Sequence, residues 1–263
     1  MNILVLIKEV PDMGKVKFDS DKGVVDRSSA ETEINPFDMN ALQEAVNLKK
    51  LYSANVTVLS MGPPKAENSL RDAYARGCDR GILMTDSKFG GADTYATAMT
   101  LSAGIKYLGK YDLIICGEKS VDGDTAQVGA EVAELLDIPH AYYVEKIKSI
   151  NETEIEVSIE NLFGSKQNRK MKLPALISVT KNINSPKLPT LNRKLISLDI
   201  EIEKISLDDL CEYIKVDDAG FKGSPTKVSK IVIPCSIKRE SQIYRDDYFS
   251  FKEAINKEIK SIL

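Results

Sequence analysis

A polar segment, CGEKSVDGDTAQVG at 116–129, directly follows the apolar run DLIIC. Gly117 and Gly123 allow sharp backbone turns, and Asp124 or Thr125 can cap the helix that is predicted next. Free amides at a helix N-terminus bind phosphate groups. The segment matches neither a Walker loop nor GxGxxG, so a capped helix with ordinary glycines is an open alternative.

A second glycine-bearing segment, FGGADTYA at 89–96, precedes another predicted helix. Gly90 and Gly91 stand before that helix, and Asp93 or Thr94 can serve as its cap. Plain capping is again the alternative. Two such helix starts at neighbouring strand ends favour a dinucleotide more than either one does alone.

Three shorter turn segments are expected at the same edge. VPD at 10–12 follows the first strand, NPFD at 35–38 precedes the first helix, and MGPP at 61–64 ends the next strand. Pro36 restricts the backbone ahead of a cap, and turn formation alone would account for each segment. Because they share one rim of the predicted sheet, together they indicate a nucleotide site.

Other kinds of site find little support. His140 has no nucleophile partner in the sequence, which argues against a Ser/His/Asp mechanism. The four cysteines have no metal-ligand spacing, and we expect reduced, mostly buried thiols. They are Cys78, Cys116, Cys211 and Cys235.

Composition and the N-terminal sequence bear on partners and location. The 36 basic and 39 acidic residues are intermixed, with a formal net charge of −3, so we expect no binding to nucleic acid. The start, MNILVLIKEVPD, lacks the features of a signal peptide, and no apolar stretch approaches the roughly 20 residues that span a bilayer. We therefore expect a cytoplasmic protein without membrane insertion.

Apolar runs of strand length alternate with segments of helical period, as in a parallel sheet covered by helices on both faces. The predicted strands are Asn2–Ile7, Asn55–Ser60, Arg80–Met84 and Asp112–Cys116. The predicted helices are Asn40–Leu51, Lys65–Arg76, Thr94–Leu108 and Thr125–Leu136. The fold class is α/β, a doubly wound and mostly parallel sheet with its crevice at the carboxyl ends of the strands.

The pattern changes after residue 140. Residues 150–159 and 171–180 each alternate apolar and polar side chains, which predicts two strands of a small antiparallel appendage. KNINSPKLPTLNRK at 181–194 contains two prolines and is predicted to form an exposed loop with an apolar tip, without a regular helix.

The last part of the chain is predicted to be a separate arm. Residues 1–215 form the nucleotide-binding domain, and residues 216–263 form an extended segment with glycines and a proline near its start. The arm contains the β-like stretch KIVIPC and an amphipathic helix from about Asp247 to Ile262. An extended arm of this kind usually packs against another protein chain.

The chain resembles the β subunit of electron-transfer flavoproteins over nearly its whole length. CGEKSVDGDTAQVG is close to the signature of that family. The other matching segments are Lys8–Asp12, Asn35–Asp38, Met61–Pro63, Lys172–Ala175 and the loop around Leu191. The resemblance implies a Rossmann-like fold, related to the adenine-nucleotide α-hydrolases.

This resemblance also implies a ligand and a set of contacts. Ordinary members bind AMP, and electron-bifurcating members bind a second FAD; VPD at 10–12 and GGADT at 90–94 resemble the bifurcating type, so FAD is expected. The implied nucleotide contacts are Leu6, Ile7, Asn35, Pro36, Phe37, Asp38, Met61, Gly117, Ser120, Val121, Asp122, Gly123, Asp124, Thr125, Gln127 and Val128. Gly90, Gly91, Asp93, Thr94 and Thr97 would extend the pocket over FAD and NADH, and Leu191 matches the leucine that inserts into a partner dehydrogenase.

In the implied mechanism NADH gives a hydride to the bound FAD, with one electron passing to the flavin of the α subunit and one to ferredoxin or flavodoxin. The C-terminal arm would pack on the α subunit, and an acyl-CoA or hydroxy-acid dehydrogenase would exchange electrons with the α-subunit flavin. No catalytic acid or base and no metal is required of this chain. Two alternatives remain: a non-bifurcating β subunit with structural AMP, and a stand-alone adenine-nucleotide-binding enzyme or sensor.

Overall fold

The computed structural model describes residues 1–12, 17–19, 24–26, 31–160, 165–227, 243–245 and 247–262. The chain divides into two compact units, Met1–Lys227 and Val228–Leu263. The strands are β1 (Asn2–Ile7), β2 (Glu9–Pro11), β3 (Lys17–Asp19), β4 (Val24–Asp26), β5 (Thr32–Ile34), β6 (Asn55–Met61), β7 (Arg80–Met84), β8 (Leu113–Gly117), β9 (His140–Ile150), β10 (Glu154–Ile159), β11 (Gln167–Lys172), β12 (Ala175–Val179) and β13 (Glu203–Ile205). The helices are α1 (Pro36–Tyr52), α2 (Glu67–Arg76), α3 (Thr94–Leu108), α4 (Val128–Leu135), α5 (Leu191–Leu198), α6 (Gly220–Gly223) and α7 (Tyr248–Ile262).

Nine strands form one sheet in the order β11-β10-β9-β12-β8-β1-β6-β7-β13. Every neighbouring pair from β9 to β13 is parallel, and only β9-β10 and β10-β11 are antiparallel. The predicted mostly parallel sheet is therefore confirmed. Its antiparallel strands continue the same sheet at one edge.

Helices cover both faces of the sheet because the central strands are apolar on both sides. In β1, Ile3 and Val5 pack in the core beneath α1 and α2, whereas Leu4 and Leu6 pack in the core beneath α3 and α4. Ile3, Leu4 and Val5 have no exposed surface. A strand buried on both faces has no polar alternation, which is the pattern expected of an inner parallel strand.

Several predicted elements match the structure closely, and others, including α1 and α2, differ at their starts. The bounds of β1, β7 and α3 are those predicted. Helix α1 begins at Pro36 instead of Asn40, because proline is well suited to the first position of a helix and Asp38 lies in the first turn. A 3-10 turn at Pro64–Ala66 precedes α2, so the regular helix starts at Glu67.

The prediction of a single strand at 150–159 was wrong. Strand β9 ends at Ile150 and β10 begins at Glu154, with a tight turn between them. The Asn151 carboxamide oxygen accepts hydrogen bonds from the amides of Thr153 and Glu154 at 2.8 and 2.9 Å, which closes an Asx turn.

The prediction of one exposed strand at 171–180 was also wrong. Residues up to Lys172 belong to the edge strand β11, and the cis bond between Leu173 and Pro174 separates it from β12. Strand β12 is buried at all five positions and lies between β8 and β9 as a parallel inner strand.

The expectation that residues 181–194 contain no helix was wrong in part. Pro186 and Pro189 lie ahead of α5, and the hydroxyl of Thr190 accepts a hydrogen bond from the Arg193 amide at 3.4 Å, as a helix cap does. The exposed apolar character was predicted correctly, since Leu188 is 87% exposed.

The first compact unit extends past residue 215 because the following residues pack on it. The amide of Phe221 donates to the Gly90 carbonyl at 3.0 Å, and the amide of Thr226 donates to the Asp93 carboxylate at 2.9 Å. In the second unit, the predicted C-terminal helix is present as α7, whereas KIVIPC lies outside the described residues. None of the helices in the described parts of the chain is long and apolar enough to cross a membrane.

Candidate nucleotide site

The predicted site residues surround the carboxyl ends of four adjacent strands, β8, β1, β6 and β7. Leu6 and Ile7 end β1 and are buried, and Met61 ends β6 beside Met84. The loop at 118–127 follows β8, and the loop at 85–93 follows β7. Ligands of open α/β sheets bind at this end of the strands, so the fold brings the predicted residues to the right edge.

Asp38 joins the ends of β1 and β8. Its two carboxylate oxygens accept hydrogen bonds from the amides of Lys8 and Gly117 at 2.8 and 3.0 Å. The residue is only 6% exposed. Desolvation by burial raises its pKa to about 7, although the amides of Lys8 and Gly117, the Asn35 side chain and the charge of Lys8 all act in the opposite direction. Asp38 therefore holds the backbone of the site in place.

Gly117 is required by the close approach of α1. A Cβ atom at this position would lie 2.5 Å from Asp38 Oδ1 and 2.7 Å from the carbonyl carbon of Phe37. The backbone of Phe37 cannot move aside without shifting the start of α1. Only glycine lets β8 end directly beneath the Asn35–Asp38 segment.

Asn35 fixes the loop that follows β8. Its side-chain nitrogen Nδ2 donates to the Lys119 carbonyl at 2.8 Å, and its side-chain oxygen Oδ1 accepts from the Val121 amide at 3.1 Å. Asn35 is completely buried. The Lys119 ammonium lies 5.9 Å from the centroid of the Phe37 ring. The 35–38 segment thus supports the loop at 118–127 through Asn35 and the end of β8 through Asp38.

Two carboxylates that were predicted to contact the nucleotide form ion pairs with lysines. Lys8 lies 2.7 Å from both oxygens of Asp122, and Lys119 lies 2.6 Å from Asp124. Burial alone would raise the pKa of Asp122, but the Lys8 ammonium outweighs it and lowers that pKa. The hydrogen bond from Lys119 to Asp124 raises the lysine pKa.

Thr125 and Gln127 are the predicted polar contacts that remain available. Both are exposed, and neither side chain makes a hydrogen bond within the part of the chain that the structure describes. Ser120, in contrast, donates to Asp122. A ligand can therefore bind the side chains of Thr125 and Gln127 without breaking an existing hydrogen bond.

The predicted start of α4 was wrong, as was the expectation that Asp124 or Thr125 caps it. The helix begins at Val128, with Gln127 at the cap position and no capping side chain of its own. Asp124 and Ala126 have positive φ angles of 56° and 54°, and a right-handed helix cannot include such residues. The loop turns twice through left-handed backbone before the helix starts.

Tyr142, on β9, caps α4 in place of a local residue. Its hydroxyl accepts a hydrogen bond from the Ala130 amide at 2.9 Å and another from the Gly129 amide. A Cβ atom on Gly129 would lie 2.7 Å from this hydroxyl and 2.8 Å from Cys116 Sγ. Burial raises the pKa of Tyr142, so the group caps as a neutral hydroxyl. A phosphate can reach these two amides only in place of Tyr142.

Replacing Tyr142 by phenylalanine is expected to lower the free energy of unfolding by about 1 kcal/mol, the usual cost of losing a helix cap. The change removes the acceptor of the Ala130 amide and keeps the ring. Urea unfolding of the purified complex measures it. Tyr143→Phe is the matched control, because that ring is 39% exposed. Equal stability of the two variants would contradict the capping role.

The glycine segment after β7 lies next to α4. Asp93 caps α3, with its carboxylate accepting from the Ala96 amide at 3.0 Å, which confirms one of the two predicted caps. Thr94 donates to Glu131 Oε1 at 3.2 Å and so connects this loop to α4. Gly91 has a φ of +73° and packs against Phe221. Thr97 lies one turn into α3, and its amide donates to the Asp93 carbonyl.

Glu131, Tyr142 and residues 220–226 border the site but were missed from the sequence. They come from α4, β9 and the segment after β13, and no local motif marks them. Thr226 donates to Asp93 through its hydroxyl at 2.7 Å, and the Ser224 hydroxyl accepts from the Asp93 amide at 2.9 Å. Only the tertiary contacts identify these residues as neighbours of the glycine segment.

Three buried polar atoms near this edge have no hydrogen-bond partner among the described residues. They are Ser60 Oγ, one residue before the end of β6, Glu131 Oε2 on α4, and Glu9 Oε1 on β2, just after the end of β1. Burial raises the pKa of Glu131, as does the charge of Asp93. Unsatisfied buried oxygens are uncommon in folded proteins and are compatible with an edge that receives a hydrogen-bonding ligand.

No group of three or more metal-binding side chains occurs within the ranges that the structure describes. Cys78 and Cys116 are buried thiols, and burial raises both pKa values, that of Cys78 to about 12. Cys211 is exposed, and Cys235 lies outside the described residues.

Leu191 lies on α5, which packs against α2 and is not part of this edge.

Comparisons with known proteins agree on one family. The family model described as "Electron transfer flavoprotein domain" matches residues 22–210. The chain is 46% identical to the electron transfer flavoprotein subunit beta of Clostridium acetobutylicum, over 88% of this chain and 87% of that protein. It is 40% identical to the same subunit of Thermoanaerobacterium thermosaccharolyticum, over 97% and 95%. It is 36% identical to the caffeyl-CoA reductase-Etf complex subunit CarD of Acetobacterium woodii, over 89% and 88%.

Proposed function

The chain belongs to the electron transfer flavoprotein family as a β subunit, and on this premise we propose that it binds FAD and takes part in NADH-linked electron bifurcation or confurcation. In this proposal the complex exchanges electrons with ferredoxin or flavodoxin and with a partner dehydrogenase. One structural arrangement supports a ligand longer than AMP. The strand order β8-β1-β6-β7 places both glycine-bearing loops at one edge, and the hydrogen bond from Thr94 to Glu131 joins the glycine segment to α4.

The residues present fit a dinucleotide. Thr125 and Gln127 face solvent without partners among the described residues, and Ser60 Oγ and Glu131 Oε2 are unsatisfied acceptors or donors at the same edge. The loop at 117–128 would hold the adenine nucleotide half, and residues 90–94 with Thr97 would lie along the rest. FAD, when bound, supplies the hydride and one-electron chemistry.

The chain's own residues supply order at the site. Asp38 and Asn35 fix the ends of β1 and β8 and the loop after β8, so the backbone that meets the ligand is set before binding. Asp93 fixes both the start of α3 and the segment at 224–226. No side chain needs to move a proton, which agrees with a subunit that orients a cofactor.

The proposed partners follow from the family and from the relatives' names. The relative from Acetobacterium woodii is named as a subunit of a caffeyl-CoA reductase-Etf complex, which supports an acyl-CoA dehydrogenase as the partner here. Leu191, which is 77% exposed, is the proposed docking residue. Residues 216–263 are proposed to contact the α subunit, with α7 presenting exposed aromatic residues such as Phe249.

Ligand content tests the proposal. We expect the purified αβ complex to release two FAD and no AMP per heterodimer after denaturation, and NADH to bleach its flavin absorbance under anaerobic conditions. One FAD and one AMP, with no response to NADH, would contradict bifurcation and leave an ordinary electron carrier with structural AMP. One FAD per heterodimer with no second adenine nucleotide would contradict the nucleotide site of this chain.

A further inference from the structure

Helix α5 presents three leucines on one exposed face. Leu191, Leu195 and Leu198 are spaced by four and three residues, and their exposed fractions are 77%, 55% and 59%. Residues at this spacing lie on one side of a helix. Ser197, which is 1% exposed, faces the body of the protein. An apolar stripe of this kind needs a stable helix to keep the leucines in register.

Eight residues are too few for a stable helix in isolation, so α5 depends on capping. Within its last turn, the Ser197 hydroxyl donates to the Lys194 carbonyl at 2.8 Å, and the Asp199 amide donates to the Ile196 carbonyl at 3.3 Å. The carbonyls of Ser197 and Leu198, at the end of the helix, have no amide donor within the helix.

Arg71, on α2, supplies these missing donors. Its Nη1 atom donates to the carbonyls of Ser197 at 3.3 Å and Leu198 at 2.6 Å, and also to the carbonyl of Ile200. A cation at the C-terminal end of a helix also interacts favourably with the helix dipole. Arg71 therefore caps α5 from another element.

A network on α2 orients Arg71 and extends its effect. Glu67 accepts from Arg71 Nη2 at 2.6 Å and lies 3.0 Å from the Lys204 ammonium. Hydrogen bonds from Lys204 and then from Arg71 lower the pKa of Glu67, which stays charged. Because Arg71 is fixed on its far side by Glu67, its remaining donors point to the end of α5.

Helix α2 also contacts the start of the docking segment, residues 187–198. Asp72 bridges Lys194 and Arg76 at 2.6 and 2.7 Å. Arg76 donates to the Lys187 carbonyl at 2.9 Å, ahead of α5. Helix α2 thus contacts the segment at its beginning, its middle and its end.

We propose that Arg71 is a positioning residue for partner docking, which holds α5 folded so that Leu191, Leu195 and Leu198 form one preorganised surface for an apolar groove on the partner dehydrogenase. The inference rests on the proposed docking role of Leu191. Preorganisation reduces the entropy that the partner must overcome on binding. Loss of Arg71 should therefore weaken docking without changing the ligand site.

The test compares Arg71→Gln with Arg80→Gln in the purified αβ complex. Arg80 pairs with Glu203 at 2.6 Å on the surface and contacts no carbonyl of α5, so the control removes the same charge from an exposed pair. We expect hydrogen exchange of the α5 amides to become about tenfold faster in Arg71→Gln only, which corresponds to the loss of about one charged hydrogen bond.

A second readout is electron exchange with a purified acyl-CoA dehydrogenase. For Arg71→Gln we expect the KM of the complex for the dehydrogenase to rise about fivefold, because a loss of about 1 kcal/mol in docking free energy corresponds to that factor. The kcat at saturating dehydrogenase and the flavin content should be unchanged. Arg71→Lys, which keeps the charge but not the forked geometry, should give an intermediate KM.

Unchanged exchange of α5 in Arg71→Gln would overturn the proposal. Faster exchange with an unchanged KM would also overturn it, provided that Leu191→Ala raises the KM in the same assay. If Leu191→Ala leaves the KM unchanged too, the docking function itself is contradicted and the inference fails with it. The exchange and kinetic results therefore separate the two failures.

Discussion

Replacing Asp38 by alanine is expected to lower the free energy of unfolding of the αβ complex by about 3 kcal/mol, because two buried amides lose their acceptor. These amides belong to Lys8 and Gly117, at the ends of β1 and β8. The two strand ends would no longer be held together beneath the loop at 118–127. We therefore expect the purified variant to lack the nucleotide of this chain, as measured by the FAD and AMP that it releases on denaturation.

Asp112→Ala is the matched control for this substitution. The Asp112 carboxylate also accepts a backbone amide, that of Asn2 at 2.7 Å, but the bond is exposed to solvent. We expect a loss below about 1 kcal/mol and unchanged nucleotide content, because water replaces the lost acceptor. Similar losses in the two variants would contradict the role given to burial at Asp38.

The ionisation of Asp38 should also make stability depend on pH. Burial raises its pKa to about 7 from an ordinary value of 3.8, so between these values the folded state binds more protons than the unfolded state. This contribution to stability is present in full below pH 4 and is lost as the pH rises toward 7. The unfolding free energy of the wild type, relative to Asp38→Asn, should therefore fall between pH 4 and pH 7.

Urea unfolding of both proteins at several pH values measures this difference. All other titrating groups contribute equally to the wild type and the Asn variant, so they cancel in the comparison. A relative stability that stays nearly constant over this interval would mean that the amides of Lys8 and Gly117 outweigh desolvation, so that Asp38 is ionised in the folded state throughout.

Replacing Leu191 by alanine is expected to raise the KM for the partner dehydrogenase about thirtyfold, the effect of losing about 2 kcal/mol from an interface hot spot. The side chain is 77% exposed at the start of α5, so its removal should not affect folding. The maximal rate at saturating partner should remain, because the flavin and its ligand site are elsewhere. Steady-state turnover with a purified acyl-CoA dehydrogenase measures both parameters.

Leu51→Ala provides the control, since Leu51 lies near the end of α1 and is 74% exposed. The two substitutions remove the same apolar area from the surface and differ only in position. An equal KM in both variants would contradict docking through α5. A lower maximal rate in Leu191→Ala would instead point to an effect on electron transfer within the bound complex.

The sequence already contained the information for elements whose own residues carry a clear apolar or capping pattern. After their first residues, the strands Asn2–Ile7 and Arg80–Met84 are buried and free of polar side chains, and the helix Thr94–Leu108 has its cap, Asp93, directly in front of it. The turn segments lie at strand ends, as predicted. The cap of α3 is local, whereas β1 and β7 pair with strands that are distant in the sequence and were predicted from their own apolar runs.

Two of the misplaced elements, α5 and the start of α4, are stabilised from a distance. Helix α5 was predicted to be a loop because its eight residues and nearby prolines give a weak helical signal, and its cap, Arg71, lies 127 positions from Leu198. The start of α4 was misplaced because its cap is Tyr142, on β9, and not a residue of the preceding loop. A local pattern carries no sign of a partner that only folding brings near.

The roles of individual site residues were likewise decided by the tertiary structure. The sequence alone determined the α/β class, the strand order along the chain and the family, because these depend on apolar periodicity and on contiguous motifs. It could not show that Asp38 binds the Gly117 amide across 79 positions, or that Asp122 pairs with Lys8 across 114. Such contacts depend on how β8 and β1 lie side by side, and that arrangement arises only when the sheet forms.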